Sequence, residues 1–194
     1  MRHFFRKFRG FWYRFLGNFP GYDHGKRQTG YERRWNLETN GFTKEGFFEI
    51  LKSNLLKDNP GGLVWELAAG DGRVGSLGLW LESEGKEWRV QAWEHRPAVA
   101  DSFAKHRPSA LLFRGRRVAM NLKEDASNLS VVTIRDSREA SGLWKEIQSG
   151  RITPRLVGVW NPTCRPVWYH RFLRCGYRLE LVYGRMEFYR RKIL

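Results

Sequence analysis

The sequence predicts an α/β fold: a doubly wound, mostly parallel sheet ending in an antiparallel hairpin, with an amphipathic helix at the N-terminus. Three stretches carry that prediction. Leu63-Val-Trp-Glu-Leu-Ala-Ala-Gly-Asp-Gly-Arg-Val-Gly75 reads as a buried strand, a sharp glycine turn and the start of a helix. Arg89-Val-Gln-Ala-Trp-Glu94 alternates, with Val90 and Ala92 on one face, and ends in a carboxylate. Tyr177 to Tyr183 alternates again, Gly184-Arg185 turns, and Met186 to Arg191 pairs back as a last strand.

The elements follow in chain order. On a helical wheel, residues 1–17 place Phe4, Phe5, Phe8, Phe11, Trp12, Phe15 and Leu16 within an arc of about 140°, with Arg2, Arg6, Lys7, Arg9 and Arg14 opposite. Such a helix suits the plane of an anionic membrane surface, where each cation adds roughly 1 kcal/mol. Its aromatic face equally suits packing on the domain or a second subunit, and its cations suit RNA. Residues 18–42 show no period and read as a loop or lid, long enough to be functional or a flexible linker. Residues 43–57 form a helix capped by Thr43, with Phe47, Ile50, Leu51, Leu55 and Leu56 as its apolar stripe.

After the first strand, Arg73 to Glu82 has helical spacing at Val74, Leu77 and Leu81. Pro97 opens a helix to about His106, and Pro108 stops it. Ala110 to Phe113 is a third strand, Arg114 to Arg117 a turn, Val118 to Leu122 a further extended piece, and Lys123 to Asn128 a polar turn. Val131 to Ile134 is β-branched and strand-like. Ser141 to Ser149 is helical, with Leu143, Trp144 and Ile147 inward. Leu156 to Trp160 is a strand ended by Asn161-Pro162. Pro166 to Cys175 is a helix offering Val167, Phe172 and Leu173 for burial, with Gly176 as its C′ residue. In the last alternating strand, Leu179 and Leu181 are expected on one side and Arg178 and Glu180 on the other.

Composition bounds the function. Net charge is +15, and it sits at the ends. Residues 1–17 hold five Lys/Arg and no acid; residues 151–194 hold ten Lys/Arg and two acids; the middle is nearly neutral. Basic ends favour an anionic partner or simply a solvated basic surface. No apolar run approaches about 18 residues, so no transmembrane helix is expected, and arginines break any secretory signal pattern at the start. Two cysteines, Cys164 and Cys175, make no disulfide framework, so a reducing cytoplasm is the expected setting, peripheral to the membrane if the first helix binds there. No Cys/His cluster has metal spacing, and no phosphate-binding Gly-Lys loop or Ser/His/Asp set is identifiable.

Glu66-x-x-x-Gly70-x-Gly72 and Glu94 taken together resemble the class I S-adenosylmethionine (SAM) methyltransferases. The wider pattern looks most like their FkbM-type branch, with Glu94-His-Arg-Pro97 standing where a Glu-Pro pair commonly closes the second strand. The resemblance implies a Rossmann-like methyltransferase fold over residues 43–194 and SAM as cofactor. It implies cofactor contacts at Glu66, Ala68, Gly70, Asp71, Gly72, Glu94 and His95, with Glu94 on the ribose, Arg96 beside His95 at the adenine, and the helix dipole near Arg73 on the cofactor carboxylate. It suggests O-methylation of a sugar, a lipid-linked glycan or a small metabolite; an RNA-modifying enzyme and an inactive interaction module are the competing readings. Candidates for catalysis are His170 and His24 as base, and Asn161, whose Asn-Pro pair faintly resembles the Asn-Pro-Pro-Tyr motif of nitrogen methyltransferases. The family's acids on this strand are missing from Leu156 to Asn161, so binding the cofactor is better supported than using it.

Overall fold

The computed structural model describes residues 56, 61–73, 76–83, 87–117, 128–161, 167–183 and 186–192. The expected helix at 1–17, the loop or lid at 18–42 with His24, the helix at 43–57 apart from Leu56, and the pieces at 118–127 lie outside the described residues.

Seven strands form one sheet: β1 (Gly61–Leu67), β2 (Glu87–Glu94), β3 (Leu111–Arg114), β4 (Leu129–Ile134), β5 (Leu156–Trp160), β6 (Tyr177–Tyr183) and β7 (Met186–Arg191). Among the described residues the helices are α1 (Leu77–Ser83), α2 (Pro97–His106), α3 (Ser137–Gln148) and α4 (Val167–Arg174). The strand order is β3-β2-β1-β4-β5-β7-β6. β1 to β5 pair in parallel, and β7 lies antiparallel between β5 and β6. The chain therefore winds outward from β1 in both directions, and the carboxyl ends of β1 to β5 share one edge. The crevice at the reversal, between β1 and β4, is where such a sheet takes a ligand.

β1 is the middle one of the five parallel strands and is buried on both faces, which explains its nearly continuous apolar run. Leu63, Trp65 and Leu67 point into a core shared with Leu143 and Ile147 of α3 and Trp168 and Phe172 of α4. Val64 points the other way, with Leu56, Val90 and the α1 residues Leu77 and Leu81. Ala92 and Phe103 of α2 extend that second layer toward the glycine turn.

Four sequence expectations shift. α1 begins at Leu77 rather than near Arg73, because Ser76 caps it: its Oγ accepts from Leu79 N at 3.0 Å. α3 begins at Ser137 rather than Ser141, because Asp136 is an N-cap that accepts from Arg138 N at 2.7 Å and Glu139 N at 3.2 Å. In α4, Val167 and Leu173 are exposed; Trp168 and Phe172, four residues apart, form the buried stripe. In β6 the ladder to β7 shifts between Leu179 and Leu181. That irregularity reverses the side-chain parity, so Leu179 joins the α3/α4 core and Leu181 the opposite one.

Candidate functional site

The carboxyl edge at β1 and β2 is built around one carboxylate. After β1, Ala69 N donates to Trp93 O at 3.0 Å and keeps the chain on β2. The turn then rises through Ala68 (φ 57), Gly70 (φ 72) and Gly72 (φ 74). Two of these are glycines, for which the left-handed region is free; Ala68 is buried there at a cost of about 1–2 kcal/mol. Gly72 is also sterically required, since an added Cβ would lie 2.7 Å from Phe103 Cδ2. Asp71 closes the turn locally: its Oδ1 accepts from Arg73 N at 3.0 Å, and its carbonyl lies 3.1 Å from His106 Nδ1.

Glu94 ends β2 directly beside this turn. Its Oε2 accepts from Gly70 N at 3.0 Å and from Arg96 Nη2 at 3.0 Å. Its Oε1 accepts from Arg96 N at 2.9 Å and from Arg96 Nε at 2.9 Å. The carboxylate side chain is fully covered, whereas Arg96 is 55% exposed. Burial works to raise the Glu94 pKa, but the hydrogen bonds from Arg96 and Gly70 win and hold it below the ordinary 4.5. The group is thus an anion at neutral pH, pinned to the turn.

Arginines rim this edge. His95 Nε2 lies 3.0 Å from Arg116 Nη2, and Arg116 pairs with Asp136 at 3.2 Å. Arg135 follows β4, its backbone N donating to Leu67 O at 3.1 Å. Its guanidinium lies over the turn: a Cβ on Gly70 would come 3.2 Å from Arg135 Nη1.

Glu66 lies elsewhere. It is 2% exposed under α1. Its carboxylate accepts from Ser76 Oγ (2.9 and 3.0 Å), Gly78 N (3.1 Å) and Arg107 Nη1 (2.7 Å). Arg107 also reaches Glu82 at 2.6 Å. Glu66 is therefore engaged by the protein itself, tying β1 to the start of α1. Two of the first amides of α1 are engaged in the same way, Gly78 N by Glu66 and Leu79 N by Ser76, and the helix starts at Leu77 rather than at Arg73.

Of the acceptor-side candidates, Asn161 and His170 are among the described residues and His24 is not. Asn161, just past β5, is buried, and its Nδ2 donates to Glu187 Oε1 at 2.9 Å; Tyr189 O–H donates to the other oxygen at 2.5 Å. β5 is separated from β1 by β4. His170 sits on α4, partly exposed, edge-on to Tyr169 with ring centroids 5.5 Å apart. Cys175 is a free thiol whose pKa burial raises. Among the described residues no group of three His, Cys, Asp or Glu could hold a metal, and no helix is long and apolar enough to cross a membrane.

No protein-family model and no curated protein matches this sequence. Solved structures do. A Thermoplasma acidophilum protein aligns over 84% of this chain and 97% of its own, with TM-score 0.52 and 14% identity. A putative RNA methyltransferase from Pyrococcus horikoshii covers 75% of this chain and 83% of its own, with TM-score 0.51 and 14% identity. TrmK of M. capricolum, solved with S-adenosyl-homocysteine, covers 72% and 66%, with TM-score 0.52 and 11% identity. The fold is the Rossmann-like methyltransferase fold. At these identities the likeness is one of fold.

Within the methyltransferase fold, sequence reasoning missed Ser76, Arg107 and Arg135. Ser76 carried a signal, a serine just before a helix. Arg107 and Arg135 carried none, because Arg107 pairs with Glu66 41 residues away and Arg135 approaches Gly70 from the end of the neighbouring strand.

Proposed function

We propose that this chain binds S-adenosylmethionine across the carboxyl ends of β1 and β2 and transfers its methyl group. The observation that supports it is the anionic Glu94, fixed 3.0 Å from the amide of a positive-φ glycine turn. A carboxylate accepts hydrogen bonds from a ribose diol, and a Cβ-free turn admits a nucleoside close to the backbone. Glu94 would hold the ribose, the turn through Gly70, shaped by Gly72 packing on Phe103, would take the amino-acid end, and His95 and Arg116 would border the base. When bound, the cofactor supplies an electrophilic methyl group. The chain's task is then alignment and, for an oxygen acceptor, proton removal. His170 and His24 are the proposed bases; Asn161, holding Glu187, braces the β5–β7 edge. The Glu94–Pro97 corner is the basis for placing the chain nearest the FkbM branch.

Titration calorimetry with S-adenosylhomocysteine tests this. Sub-millimolar binding, weakened at least tenfold by Glu94→Ala, is expected. No binding by the full chain at millimolar ligand would sink the reading.

For the acceptor, a sugar or glycan-lipid reading rests on residues 1–17 at a membrane. A nucleic acid has a specific observation in its favour. Trp160 is 41% exposed at the carboxyl end of β5, on the same edge as Arg135. An exposed indole stacks a base, and a guanidinium takes a phosphate. RNA binding that falls steeply with salt and weakens on Trp160→Ala is the expected result.

A further inference from the structure

The Glu94 carboxylate has about four lone-pair positions. Four donors already meet it: Gly70 N, Arg96 N, Arg96 Nε and Arg96 Nη2, at 2.9 to 3.0 Å. Two of them are backbone amides, which leave only if the turn and the start of α2 rearrange. The other two belong to one side chain, more than half exposed, with solvent to move into. We infer that the Arg96 guanidinium is a latch on Glu94 that occupies the two positions a vicinal diol needs, and that a ribose binds by displacing it. This rests on the adenosyl-cofactor reading of the site and adds a specificity device to it.

The chemistry fits a diol in particular. A fork of two parallel N–H donors and a pair of adjacent hydroxyls present the same two-donor face to a carboxylate. A ligand with one hydroxyl recovers only part of what the fork gave up. A ligand with two recovers both bonds, and the guanidinium gains water. The latch also keeps the anion paired when no ligand is there, which an unpaired buried carboxylate would otherwise lack. Its cost falls on affinity: ligand sees only the fraction of molecules with the latch open. Asp136, already paired with Arg116 at 3.2 Å, also favours the charge on Arg96.

Calorimetry on the full chain separates the outcomes. The probes are S-adenosylhomocysteine and its 2′-deoxy analogue, against wild type and Arg96→Ala. Arg96→Ala is expected to bind S-adenosylhomocysteine roughly fivefold tighter, the scale of one partly exposed ion pair, with a smaller gain for the 2′-deoxy analogue. Arg96→Lys, which keeps the charge but loses the fork, should fall between wild type and Arg96→Ala. Equal or weaker binding of S-adenosylhomocysteine by Arg96→Ala overturns the latch and leaves the cofactor reading standing. An equal gain on both ligands overturns the diol competition. Failure of every protein to bind either ligand overturns the cofactor reading, and the latch with it.

Discussion

Two carboxylates that look alike in the sequence have opposite situations. Glu94 is pinned at the open edge, and Glu66 is locked inside an ion cluster. Replacing Arg107 with Ala strands Glu66 at 2% exposure without its cation, so a loss of about 3–5 kcal/mol is expected in urea unfolding. Arg114→Ala, which breaks a pair more than half exposed on both sides, should cost about 0–1 kcal/mol. Similar losses for the two variants would contradict the assignment of Glu66 to a buried structural role. Ala68 offers a gain in the other direction: Ala68→Gly relieves a left-handed alanine and is expected to raise stability by up to about 1 kcal/mol. Glu94 has a folded pKa below its ordinary value, so its contribution is present above that value and fades as pH falls through the folded one. In acid unfolding, Glu94→Gln should lose this part of the pH dependence below about pH 4.5 while leaving the neutral-to-alkaline side unchanged.

At the scale of elements, caps decide where helices begin. Asp136 satisfies two first-turn amides of α3, and its pKa is also lowered, by those amides and by Arg116 against the opposing effect of burial. Asp136→Ala is expected to cost about 1 kcal/mol at neutral pH and progressively less as acid protonates the native aspartate, as read by urea midpoints at several pH values. A flat difference across pH 3 to 7 would mean that the charge is not what caps α3. Element types were legible where a period or a β-branched run was long: β1, β2, β4, β5 and the α2 proline start all stand close to their expected places. Boundaries at 76 and 136 moved because a polar residue outside the apolar pattern supplies the cap. The parity of β6 was not legible, since an irregularity at Glu180 depends on how β7 pairs with it.

At the scale of the whole molecule, the distribution of charge and the exposed edge give separate tests. Deleting residues 1–17 should abolish co-sedimentation with anionic vesicles if that basic aromatic segment binds membrane, and should leave S-adenosylhomocysteine affinity within about twofold if the cofactor edge stands by itself. RNA affinity that survives the deletion yet falls on Trp160→Ala would favour the sheet edge as the acceptor site. Unchanged RNA affinity in both variants would remove nucleic acid from the proposal.

The sequence by itself determined the parallel sheet, the strand and glycine turn from Leu63 to Gly72 and the placing of Glu94 at the end of the second strand. These are local: apolar runs, glycines and alternation act over a few residues. Only the tertiary structure decided which carboxylate faces the open edge. Arg107 comes 41 residues along the chain to neutralise Glu66, and Arg135 reaches from the end of β4 to Gly70. A buried charge must find a partner wherever the fold brings one, and that choice is made by packing across the sheet rather than by spacing along the chain.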